Sequence, residues 1–93
     1  DLLPLAISPE WIARVRGEIA KARGDRAAAL LDFEAFARDV DDEAVRLELA
    51  KLYEHHLKSP EKALEMLGQG TGESDEGLAR RRARLEKKAA RRR

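Results

Sequence analysis

The chain has 93 residues, 40% of them charged and 43% hydrophobic, with a formal net charge of +1 and no cysteine. That size allows one small domain, and the missing cysteine excludes disulfides, thiolate metal sites and a cysteine nucleophile. The near-neutral total hides an acidic body with a basic tail: from Leu78 onward nine Lys and Arg residues face one acid, Glu86, whereas the preceding part holds 10 basic and 17 acidic residues.

The opening segment, residues 1–8, is apolar but short and has no basic flank, so it does not read as an intact secretory signal. It is expected to be extended, and without an initiating Met the chain is expected to be a fragment or a processed product. Ser8-Pro9-Glu10 then reads as a helix start, with Ser8 as cap and Pro9 in the first turn. The first helix is expected over 9–23, with Trp11, Ile12, Val15, Ile19 and Ala22 as its inward face. Gly24 supplies a left-handed stop and Asp25 caps a second helix over 26–38, which turns Ala29, Leu30, Phe33, Phe36 and Ala37 inward. Asp39, Asp41, Asp42 and Glu43 place negative charge at the start of a third helix, 42–57, where the helix dipole favours it. Its stripe is Val45, Leu49, Leu52, Tyr53 and His56.

Ser59-Pro60-Glu61 repeats the earlier cap-plus-proline start and opens a fourth helix, 60–67, with Ala63, Leu64 and Leu67 inward. Gly68, Gly70 and Gly72 read as a flexible linker over 68–73. Ser74-Asp75-Glu76 begins a last, basic helix over 74–93 with a thin apolar stripe of Leu78, Leu85 and Ala89. There is no strand signal, and no apolar run approaches the ~20 residues of a membrane span. The expected fold class is all-α: two helical hairpins over 9–67 plus a C-terminal basic helix.

Motifs for chemistry are missing. His55 and His56 are adjacent, so on a helix they point about 100° apart, while paired ligands need a spacing near i, i+4. Ser8, Ser59 and Ser74 are explained as caps. The run 68–72, GQGTG, lacks the preceding strand and the Lys-Ser/Thr ending of a phosphate loop. No catalytic residue, metal ligand or cofactor is expected. Trp11 reads as a core residue; partly exposed, it would be a binding anchor.

The chain also repeats itself. Ala29-Leu30 precedes Ala63-Leu64 by 34 residues, and Val15 precedes Leu49, and Ile19 Tyr53, by the same step. Repetition at that period marks stacked helical hairpins. Leu49, Ala50 and Tyr53, followed by Ala63 and Leu67, resemble a tetratricopeptide repeat (TPR). The first hairpin matches less well, with Arg16 at a position where a small residue is usual, and both hairpins carry one extra residue before Ala29 and Ala63. The segment LAKLYEHHLKSPEKALEML, followed by LARRRARLEKK, is also similar to the C-terminal end of bacterial proteins with a ribonuclease-H-like exonuclease domain. This second resemblance implies a C-terminal module whose nuclease domain lies elsewhere.

What the TPR resemblance implies is a non-catalytic protein–protein interaction module, and the absence of cysteine fits the expectation of a cytoplasmic one. A protein or peptide would lie against outward polar positions, Arg14, Glu18, Lys21, Arg46, Lys51 and Glu54. Two hairpins are fewer than the three repeats such stacks usually need, so buried area is expected to come from a second copy, giving a homodimer, or from a missing domain. The alternative is an accessory module that holds nucleic acid through Arg80, Arg81, Arg84, Lys87, Lys88 and Arg91. With no aromatic among those arginines, such binding would be blind to sequence and sensitive to salt. The plainer reading is a solvated tail with no specific partner, and counterions for it could also come from an acidic protein partner or from the chain's own acidic body.

Overall fold

A computed structural model describes residues 8–92; the expectation of an extended opening segment lies almost wholly outside them. The described residues form five helices, α1 (Pro9–Ala22), α2 (Arg26–Asp39), α3 (Glu43–His55), α4 (Pro60–Gln69) and α5 (Asp75–Arg91), and no strand. Each helix end lies within two residues of its expected place.

The 34-residue period is visible in the backbone. α1 and α3 start at residues 9 and 43, and α2 and α4 at 26 and 60. The turn inside each hairpin uses one left-handed residue, Gly24 (φ 78°) and then Lys58 (φ 57°), again 34 apart. A capping side chain follows each: Asp25 accepts from the Ala28 N–H at 3.1 Å and Ser59 from the Lys62 N–H at 3.4 Å. Asp42 caps α3 through the Val45 N–H, and Ser74 caps α5 through the Gly77 N–H, both at 3.1 Å. Ser8 departs from expectation. Its hydroxyl makes no cap hydrogen bond and is buried without a partner, so α1 begins on its backbone and on Pro9, which has no N–H to satisfy.

The chain divides into two compact units between Asp41 and Asp42. In the first, α1 packs on α2. α2 buries Ala29, Leu30, Phe33 and Phe36 as expected, but α1 buries Gly17 and Ala20 instead of its large apolar stripe. Trp11, Ile12, Val15 and Ile19 are 42–53% exposed. The cause is Phe33. Its fully buried ring occupies the space over Gly17, where an added Cβ would stand 2.7 Å from Phe33 Cε1. Close approach along the small side of α1 thereby turns the large side outward.

The second unit packs α4 against both α3 and α5. Its buried apolar residues are Val45, Leu49, Ala50 and Tyr53 of α3, Pro60, Ala63 and Leu67 of α4, and Leu85 and Ala89 of α5. Leu64 and Leu78 are half-buried, and His56, expected inward, is exposed. The expected boundary at 68–73 is replaced by a packed turn. α4 runs on through Gly68 to Gln69, the Arg46 Nε–H donates to the Gly70 carbonyl, and Thr71 is buried with its hydroxyl donating to Glu73 at 2.8 Å. Polar ties of this kind join the basic helix to α3 and α4, so over the described residues 74–92 it is no separate element.

Candidate functional site

Glu54 is the charged residue at the centre of the second unit. It lies on α3 one position past Tyr53, and its side chain is fully buried. Arg84 grips the carboxylate at both oxygens, Nε to Oε2 at 2.7 Å and Nη2 to Oε1 at 2.8 Å. Lys88 donates to Oε2 at 2.7 Å, and an Arg81 nitrogen stands 4.0 Å from Oε1. Arg81 is held more closely by Glu73, at 2.9 Å. This fork geometry is the strong form of a charge-assisted hydrogen bond.

The charge states follow from these contacts. The hydrogen bond from Arg84, opposed by burial and aided by Lys88, lowers the Glu54 pKa to about 2. Arg84 is raised in turn, first through the same bond. For Glu73, burial pushes upward, but hydrogen bonds from Arg81 and Thr71 prevail and the pKa falls. His55 Nε2 is 3.4 Å from Glu54 Oε1. Desolvation, with the Lys88 and Arg84 charges, outweighs the pull of that carboxylate and lowers the His55 pKa. The carboxylate is therefore a fixed anion whose lone pairs are taken by cations, an arrangement suited to holding α5 and not to moving protons. Among the described residues no group of three or more His, Asp or Glu could hold a metal ion, and no helix is long and apolar enough to cross a membrane.

The cations of α5 divide by helical position. Arg81, Arg84 and Lys88 turn toward Glu73 and Glu54, and Arg92 donates to the Lys58 carbonyl at 2.6 Å and to Glu61 at 3.2 Å. Arg80, Lys87 and Arg91 lie at i, i+7 and i+11 and are exposed, with Arg80 loosely paired to Glu76 at 4.0 Å. Of the six expected nucleic-acid contacts, three are thus engaged internally and three form an outward ridge.

The six residues expected at a protein-binding face fare differently. Glu54 is not outward at all, because α5 brings cations onto it. Arg46 is half-buried on the Gly70 carbonyl, and half-buried Lys51 pulls electrostatically on Glu73. On the first unit, Glu18 and Lys21 are exposed. Arg14 lies over the rings of Trp11 and Phe36, at 5.2 and 5.6 Å from their centroids. Trp11 meets Phe36 edge-on, with centroids 5.6 Å apart.

Sequence reasoning turned inward what is an exposed apolar row, Trp11, Ile12, Val15 and Ile19. The signal that could have exposed it was Gly17, a helical glycine opposite large aromatics. It passed over the burial of Glu54 as well. Glu54 stands 34 residues after Ala20, and both positions are buried. Compared with known proteins, the chain matches no family model, no curated protein and no solved structure.

Proposed function

We propose that the chain is a non-catalytic, TPR-like helical-repeat module that acts by binding protein. The observation that carries this reading is the exposed apolar row of α1. The positions 34 residues later than Trp11, Val15 and Ile19 are Val45, Leu49 and Tyr53, all of them buried. A face that is core in one hairpin stands open in the other, and a contiguous open apolar face marks a binding surface. The shared starts of α1 with α3 and of α2 with α4 support the repeat assignment. A photo-crosslinking residue at Val15, with one at exposed Glu65 as control, tests the function: protein adducts are expected at 15 and not at 65. Their absence at both positions overturns the reading.

A second reading rests on the outward ridge of Arg80, Lys87 and Arg91. In it the chain is the accessory end of a ribonuclease-H-like exonuclease, and the ridge tracks a phosphate backbone. Three phosphate contacts would give a log–log salt dependence with a slope of about −2.7 on duplex DNA. The triple variant Arg80→Glu, Lys87→Glu, Arg91→Glu should abolish that binding. No binding at ~50 mM salt removes this reading.

A further inference from the structure

The exposed face of α1 has an order that suits one occupant. At helical spacing Trp11, Val15, Ile19 and Ala22 fall in a single line, with Ile12 beside it. The largest side chain of that line, Trp11, stands at one end and the smallest, Ala22, at the other. Laid antiparallel on itself about Val15, the line sets Val15 against Val15 of a second copy. It sets each Trp11 against Ile19 of the other copy, so that the widest side chain meets a narrower one at both ends.

Charge agrees with the reversal. Arg14 and Glu18 border the same edge of the line, one turn apart. In the antiparallel seating Glu18 lies opposite position 12 of the other helix, about 3 Å along the axis from Arg14 at 1.5 Å per residue. Two symmetric Arg14–Glu18 pairs follow. The other edge carries Arg16 and Arg23, the latter 3.8 Å from Asp25 of its own copy, and adds no pair across the seam, so apolar contact supplies most of the affinity. The need for an occupant is equally local. The second unit covers its hairpin with a third helix, α5, whereas the first has two helices among the described residues.

We infer that α1 pairs antiparallel with α1 of a second copy of this chain, centred on Val15. The inference rests on the protein-binding reading given above and names its partner. A single helix face buries less than the roughly 800 Å² per partner of a standard interface, so the dimer is weak, with a Kd on the order of 10 μM to 1 mM.

Sedimentation of the full chain across that concentration range tests the pairing. Reversible monomer–dimer behaviour is expected. Val15→Asp should abolish it with helicity and melting unchanged, because Val15 is exposed. Glu18→Arg should weaken association at least threefold, and adding Arg14→Glu should restore it. A monomer throughout, or a dimer indifferent to Val15→Asp, overturns the inference, and failure of the charge swap to restore pairing overturns the antiparallel seating. Monomeric behaviour together with crosslinks from Val15 to other proteins removes the second copy as occupant but keeps the binding reading. Monomeric behaviour without any crosslink removes both.

Discussion

Single residues decide much of this architecture. Gly17 lets α1 approach Phe33, so Gly17→Ala sets a helix-propensity gain of about 1 kcal/mol against overpacking of about 1–3 kcal/mol on a ring that cannot move aside. The clash at 2.7 Å makes overpacking the larger effect, and urea denaturation should show net destabilisation. Lys58 presents the opposite case. It occupies at φ 57° the left-handed position that Gly24 fills in the first hairpin, and its hydrogen bond to Arg92 is made by the carbonyl, which glycine keeps. Lys58→Gly should therefore stabilise the fold by about 0.5–1 kcal/mol, read as a rise in melting temperature. Glu54 ties stability to pH. Its folded pKa of about 2 lies below the ordinary 4.5, so its contribution is complete above pH 4.5 and is lost as pH falls toward 2. Glu54→Gln should cost about 1–3 kcal/mol at neutral pH and flatten the stability profile across that window.

At the level of elements, the helices were legible because their ends are written in side chains: Asp25, Ser59 and Ser74 before them, and Gly24 between the first two. Spacing also gave the buried faces of α2 and α4. The inward side of α1 was not legible, because its large stripe and its small stripe are both periodic, and only the shape of Phe33 chooses between them. The docking of α5 was hidden for another reason. Its cations read equally as solvated, partner-bound or paired with the chain's own acidic body, and charge alone does not pick Glu54, on a distant stretch of sequence, as their counterion. Leu85 is the one large side chain that α5 buries completely, so Leu85→Ala should destabilise the second unit by about 2–4 kcal/mol. Hydrogen exchange should show faster opening of α3 and α4 amides in that variant.

For the molecule as a whole, the two units differ in self-sufficiency. Among the described residues the second has three helices and a buried carboxylate held by cations of its own, whereas the first has one hairpin of two helices. A peptide covering 42–93 should melt cooperatively by circular dichroism, whereas one covering 8–41 should be largely unfolded at micromolar concentration, as expected for so small a buried surface. Where the tail settles on the body is determined more narrowly than its charge suggests. Cations recur every fourth residue at Arg80, Arg84, Lys88 and Arg92, so sliding α5 by one turn would hand Glu54 an equivalent pair, Arg80 and Arg84. The same slide would push Arg81 into the hole that Leu85 fills. One leucine thus selects a single seat on an electrostatic ladder whose rungs are interchangeable, and a chain without it would hop between two.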